Sequence, residues 1–359
     1  MEPFAALPEQ ADAKRLLTAA LREGPAHAYL LHGPAGTGKR RAAYAFAGAV
    51  LGDERRVSDG THPDLYVLEA LGEMIRIDAV RELRRDLHMR PFEGDRRVYL
   101  ILSAHLLNED AADALLKDLE EPPSYAVILL VADELGPLPA TIRSRCQLVP
   151  FRRFSEKAVR EWLTTEAPGL PAEEVTALAR VAAGRLDRAR RLLEPEAVEA
   201  RRALLEVARG PYADPAFEPA DAAEVVLSAA KARAASARAE AEERLEQLDL
   251  TAREAEQRVK RAARGAERDA LLASLEELAL WYRDLLVVCA GAESAVVHAD
   301  RLAELRADAL PERLAGAERA AELVRETWRA MEEFNVNPTL TLEAMFVRLR
   351  RELGTAVPV

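Results

Sequence analysis

The stretch "LLHGPAGTGKRR", residues 30–41, decides how this chain is read. It holds Gly33, Gly38 and Lys39 in the spacing G-x-x-x-x-G-K, with Gly36 between them. Apolar "YLLH" (29–32) precedes the glycines and reads as a short strand, and the Ala-rich residues 39–51 that follow read as a helix. Strand, glycine loop and helix together turn this spacing into a phosphate site. Loop amides and the helix N-terminus face the anion, and the lysine adds a point charge. Gly33, Gly36, Gly38 and Lys39 are therefore the candidate nucleotide-binding residues. The motif should continue with Ser or Thr, whose hydroxyl holds Mg²⁺ on the nucleotide. Here the next residue is Arg40, and a guanidinium has donors but no acceptor for a metal. Arg40 and Arg41 also load positive charge onto the first helical turn, which the macrodipole disfavours by roughly 0.3–1 kcal/mol each. A bound anion would offset that charge, and splayed, solvated side chains would tolerate it.

Outward from this loop, helical and strand patterns alternate through residues 1–153. "DLYVLE" (64–69) and "CQLVPF" (146–151) read as short strands. "RVYLIL" (97–102) and "AVILLVA" (126–132) are continuous apolar runs, as expected of strands covered on both faces of a parallel sheet. "IDAVRELRRDLHM" (77–89) sets Ile77, Val80, Leu83 and Leu87 on one helical face. "NEDAADALLKDLEE" (108–121) opens on an Asn cap and stops at Pro122-Pro123. The expectation is an α/β domain with a parallel sheet. From about residue 154 the strand signal ends. Residues 154–208 read as a small domain of short helices broken near Pro168, Gly184 and Pro195, and 209–359 as an all-α domain. Within the latter, 231–268 is a charged, Ala-rich insertion that reads as a solvated helix or hairpin.

A nucleotide hydrolase needs an Asp at the end of a later buried strand to hold Mg²⁺, and a Glu beside it to polarise the attacking water. After "RVYLIL" come Ser103 and Ala104. The hydroxyl, the carboxylate ligand and the base are thus all absent, which argues against hydrolysis. Binding through Lys39 and the loop amides stays open.

The 359 residues are 49% hydrophobic and 31% charged, enough for two or three folded domains. No apolar run approaches the ~20 residues of a membrane span, and "MEPFAALPEQ" has no signal-peptide pattern. Cytoplasmic residence without a membrane is expected. The net charge of −11 is unlike a protein that tracks nucleic acid over a wide surface, so a nucleic-acid role should be local or shared with partners. Two cysteines, Cys146 and Cys289, exclude a disulfide framework and a Cys₄ zinc site.

These residues resemble those of the δ′ subunits of the bacterial DNA polymerase III clamp loader, within the AAA+ superfamily. The matching segments are "HAYLLHGPAGTGK" (27–39), "THPDLYVL" (61–68), "RPFEGDRRVYLI" (90–101), "ALLKDLEEPP" (114–123), "TIRSRCQLVPF" (141–151), "ALWYRDLLV" (279–287) and "NVNPTLTLEAMFVRLR" (335–350). The resemblance implies an α/β RecA-like AAA+ domain, a small helical lid and an all-α collar. It implies a hetero-pentamer with motor (γ/τ) and δ subunits that meets the sliding clamp and primer-template DNA through the complex, in DNA replication. It further implies a scaffold that does not hydrolyse ATP, and an arginine finger, Arg145 of "SRC", acting in trans on a neighbouring subunit's ATP. A planar cation there would neutralise charge on the γ-phosphate in the transition state. Family members often carry four zinc-binding cysteines before "HPD", but "GDERRVSDGTHPD" has none, so neither zinc nor another metal is expected. The lid's sensing arginine should follow Gly184 by three residues. Asp187 stands there, with Arg188 after it. DNA contact would use Arg81, Arg84 and Arg85 or the "LLKDLEEPP" segment. The alternatives are an active P-loop ATPase with atypical metal ligands and a helical adaptor that uses residues 231–268.

Overall fold

The computed structural model describes residues 3–4, 7–70, 74–245, 252–334 and 336–354. Five strands form one sheet: β1 (Ala28–His32), β2 (Leu65–Leu68), β3 (Arg97–Ile101), β4 (Ala126–Ala132) and β5 (Gln147–Pro150). All pairings are parallel, in the order β2-β3-β4-β1-β5. β3 and β4 are buried along their whole length, as their unbroken apolar runs require of strands covered on both faces. The α/β RecA-like fold expected from the sequence is the one observed. Among the described residues no strand follows β5, and the rest of the chain is helical.

The chain divides into two compact units. The first is Met1–Trp162 with Gly184–Arg188, and the second is Leu163–Ala183 with Ala189–Val359. In the first, the helix Lys39–Leu51 buries Ala42, Ala43, Phe46 and Ala47, and Phe46 meets the Tyr29 ring edge-on at 5.1 Å. Small side chains on that face let the helix lie close over the sheet. The helix Ile77–Leu87 buries Val80, Leu83 and Leu87 and ends two residues before its expected limit. The helix Glu109–Glu120 is capped by Asn108, whose side-chain oxygen accepts from the Ala111 amide at 3.1 Å. That cap satisfies one of the orphan donors of the first turn.

In the second unit, the helices Pro195–Ala213, Pro219–Leu245, Ala252–Cys289, Leu314–Glu333 and Pro338–Leu353 enclose a core around Trp281, Tyr282, Leu285, Val324 and Phe346. The expected boundary at 208/209 falls inside the helix Pro195–Ala213. Most of the 231–268 segment continues the two helices Pro219–Leu245 and Ala252–Cys289, which pack along each other and bury Ala237, Ala241 and Val259. Its residues 246–251 lie outside the described residues.

A buried polar cluster crosses this core. His298 is fully buried, its Nδ1 2.8 Å from Asp284 Oδ2 and its Nε2 3.2 Å from Glu277 Oε1. Arg283 donates to Asp284, Arg201 donates to Glu277, and the Trp281 ring stands edge-on to the imidazole. Burial alone would lower the His298 pKa, but the two carboxylates override it and raise it. A raised folded pKa adds stability that is complete below the ordinary histidine value and is lost as pH rises through the folded one. Removing one member of such a buried set costs about 3–5 kcal/mol. The unaltered chain should therefore exceed His298→Gln in unfolding free energy by about 3 kcal/mol at pH 6, and the gap should narrow by pH 9. Urea titrations at both pH values read this directly; a gap that widens with pH would show that His298 is held neutral.

Candidate functional site

β1 lies inside the sheet, between β4 and β5. The glycine loop after His32 therefore leaves the carboxyl edge of the strands, where open α/β sheets bind ligands. Gly33 has φ +137°, and a Cβ there would stand 2.1 Å from the Phe151 carbonyl oxygen. Gly36 has φ +72°, and a Cβ there would stand 1.8 Å from Asp187 Oδ1. Gly33 requires glycine twice over, by conformation and by its approach to backbone, whereas Gly36 requires it by conformation, since the Asp187 carboxylate is a side-chain end that can move. Gly38 sits in the loop's last turn beneath the Leu7 side chain.

Lys39 opens the helix, and its ammonium is turned inward, 3% exposed. Its Nζ donates to the carbonyls of Gly33 at 2.5 Å and Pro34 at 2.6 Å, and stands 2.8 Å from Asp133 Oδ1. Burial pushes the lysine pKa down, against the attraction of Asp133 and Asp187. Segment 184–188 closes on the loop from the other side. The Leu186 amide donates to the Gly36 carbonyl at 3.1 Å, and Arg185 pairs with Asp187 at 2.9 Å. The Asp187 expected at the sensing position thus lies against Gly36.

Arg40 takes a course the sequence did not indicate. Its guanidinium pairs with both carboxylate oxygens of Glu69, at 2.5 and 3.2 Å. A protein carboxylate therefore offsets the charge that had suggested a bound anion or free solvation. Ser103 follows β3 by two residues in the left-handed region, φ +57°, and Ala104 beside it is buried. Neither offers a carboxylate, and Arg40 offers no acceptor. These positions do not fit an Mg²⁺–nucleotide poised for hydrolysis.

Sequence reasoning missed Asp133 and Glu69. The signal was present, because each carboxylate directly follows a strand, β4 or β2, and parallel strands gather their carboxyl ends on one edge.

Arg145 lies elsewhere. β5 runs parallel to β1 with Gln147 beside Tyr29 and Pro150 beside His32. Arg145 precedes β5 and so stands at the amino edge, about a 13 Å strand length from the loop at ~3.3 Å per residue. The structure brings Gly33, Gly36, Gly38 and Lys39 together and leaves Arg145 apart from them. Arg145 Nε donates to Glu120 Oε1 at 2.8 Å, Nη2 donates to the same carboxylate, and Nη1 donates to the Thr141 carbonyl at 2.8 Å. His27, Leu119, Glu120, Ser144 and Arg145 line an open depression.

Burial pushes the Cys146 thiol up to about 12, so it is an inert space-filler at neutral pH. Cys146 and Cys289 fall in different units. Among the described residues no group of three or more His, Cys, Asp or Glu is placed to hold a metal, and no helix is long and apolar enough to cross a membrane.

A phosphate-type loop after the first strand of a five-stranded parallel sheet defines an α/β protein of the P-loop type. The family described as "DNA polymerase III, delta subunit" matches residues 9–155, and over that segment the chain is similar to it. A δ′ subunit of Pseudomonas aeruginosa is 37% identical over 174 residues, covering 44% of this chain and 53% of the relative. A τ subunit of Bacillus subtilis is 34% identical over 159 residues, covering 41% of this chain and 28% of the relative. The matches thus span about half the length of the first relative and less of the second. A solved γ-subunit-related protein of Thermotoga maritima aligns over 95% of this chain and 99% of its own, at 18% identity and TM-score 0.46, a likeness too slight to argue from. The resemblance to clamp-loader δ′ subunits holds over the matched segment.

The close approach of Gly33 to the Phe151 carbonyl has a measurable cost. Gly33→Ala meets both left-handed strain and a backbone clash, and should lower the unfolding free energy by about 3 kcal/mol. Gly52→Ala, at φ +74° with nothing within 4 Å, should lose only the conformational part, about 1 kcal/mol. Equal losses in chemical denaturation would contradict the packing of Phe151 on the loop.

Proposed function

We propose that this chain is a clamp-loader subunit that does not hydrolyse ATP, serves as a scaffold, and lends Arg145 to a neighbouring subunit's ATP. The observation that carries the reading is the state of the phosphate loop. Its lysine is paired with the chain's own Asp133, position 40 holds no hydroxyl for Mg²⁺, and positions 103 and 104 hold no carboxylate for Mg²⁺ and no base for water. The opposite placement of Arg145 supports action in trans, because its own loop is a strand length away. The partners in this reading are motor (γ/τ) and δ subunits in a hetero-pentamer, with the sliding clamp and primer-template DNA met through the complex. The reading requires no cofactor and no zinc, and ATP held without hydrolysis is compatible with it once Asp133 is displaced from Lys39. A lid over about 154–208 and a collar beyond it are part of the same proposal.

Purified chain should release no phosphate from ATP above background, with or without DNA. Arg40→Thr alone should not restore turnover, because Ser103 and Ala104 remain. Stoichiometric Mg²⁺-dependent turnover would instead favour an active ATPase with atypical ligands.

Arg145→Ala should leave assembly intact and lower the DNA-stimulated ATPase of the reconstituted complex. An arginine finger is worth about 10³–10⁵ at its own site. The loss over the whole complex should be smaller, because the other sites keep their own arginines. Arg145→Lys should fail too, since a point ammonium does not reproduce the planar fork. An assembled Arg145→Ala complex with the full rate leaves only the scaffold half standing.

A further inference from the structure

The Arg145 guanidinium is already occupied. Its Nε and Nη2 edge grips Glu120, and its Nη1 meets the Thr141 carbonyl and Ser144 Oγ. A fork held this way cannot present two parallel donors to a phosphate without leaving the carboxylate. Glu120 is the last residue of its helix, with Glu121 next and Pro122-Pro123 after it. A carboxylate at a helix C-terminus works against the macrodipole, so helix stability does not account for it there. The side chains are partly exposed, 29% for Arg145 and 48% for Glu120, and exposed ion pairs are weak. The contact is thus well formed and readily opened.

We propose that Glu120 is a positioning residue for Arg145, a latch that holds the finger closed on its own subunit until the charge that develops on a neighbour's triphosphate in the transition state draws it off. The inference rests on the trans reading of Arg145. A triphosphate carries more negative charge than one carboxylate and offers oxygens to the same fork, so it competes for Arg145 where Thr141 and Ser144 alone could not hold it. Opening the latch belongs to the path toward the transition state, so removing its charge should raise kcat at that site and leave KM for ATP unchanged. The size should be about fivefold, which is the ~1 kcal/mol upper range of an exposed pair at 1.4 kcal/mol per tenfold.

The test uses the reconstituted complex, with the other ATP sites silenced by replacing their own P-loop lysines. ATP turnover without DNA is measured for the unaltered chain, Glu120→Gln, Glu120→Asp, Arg145→Ala and the Glu120→Gln/Arg145→Ala pair. Glu120→Gln should raise kcat about fivefold, Glu120→Asp should return it toward the unaltered value, and the double variant should match Arg145→Ala alone. A Glu120→Gln rate at or below the unaltered one, or a gain that survives without Arg145, overturns the latch and leaves the finger standing. An Arg145→Ala complex with unaltered turnover removes the finger and the latch with it.

Discussion

A lysine ammonium at 3% exposure must find acceptors inside the protein, and the carboxyl edge of the sheet is arranged around that demand. Lys39 joins the first turn of its helix to the carbonyls of Gly33 and Pro34 and to Asp133 at the end of β4. One cation thereby ties together the loop after β1, the helix that follows and the neighbouring strand. Leaving Asp133 or the two carbonyls without this partner would forfeit charge-assisted bonds worth about 1.5–3 kcal/mol each. The same edge shows the rule again, where Glu69 after β2 receives Arg40. At two of the five strand ends, β2 and β4, an acid thus takes up a cation of the helix that follows the loop.

The two edges of the sheet therefore differ in what they leave available. At the carboxyl edge the cation of the loop is buried among its partners. At the amino edge Arg145 sits in an open depression with only an exposed carboxylate and a carbonyl on its principal donors. Electrostatic release is easier at the second edge than at the first, because solvent screens the Glu120 pair while Lys39 is shielded from it. Strand polarity alone separates them, since a parallel sheet sends every loop that follows a strand to one side.

Much of this fold was legible because its signals are local. The apolar runs of β3 and β4, the Asn108 cap and the glycine spacing each decide structure within a dozen residues. The contacts of the loop were not legible, although the place of Asp133 at a strand end was, because Asp133, Phe151 and Asp187 lie about 100 residues or more along the chain from the atoms they meet. Arg40 shows the limit well. Its missing metal chemistry could be read from residue type, but its partner Glu69 comes from strand order, which no periodicity reveals. The same holds in the second unit. The helix around Trp281 was evident from its apolar run, whereas the encounter of Arg201, Glu277 and His298 depends on how three separated segments pack.

The geometry also changes what the glycine motif means. Gly33 is required by the Phe151 carbonyl and Gly36 by its positive φ, and Lys39 meets acceptors of the protein itself. Each hallmark of a phosphate loop thus also has a partner or a conformational reason within the chain. The motif is then evidence of how strand, loop and helix are joined, and the presence of phosphate chemistry has to be argued from the groups around it. In this chain the nearest of those groups is the Asp133 carboxylate, 2.8 Å from the Lys39 ammonium, with which a phosphate would have to compete for the same cation.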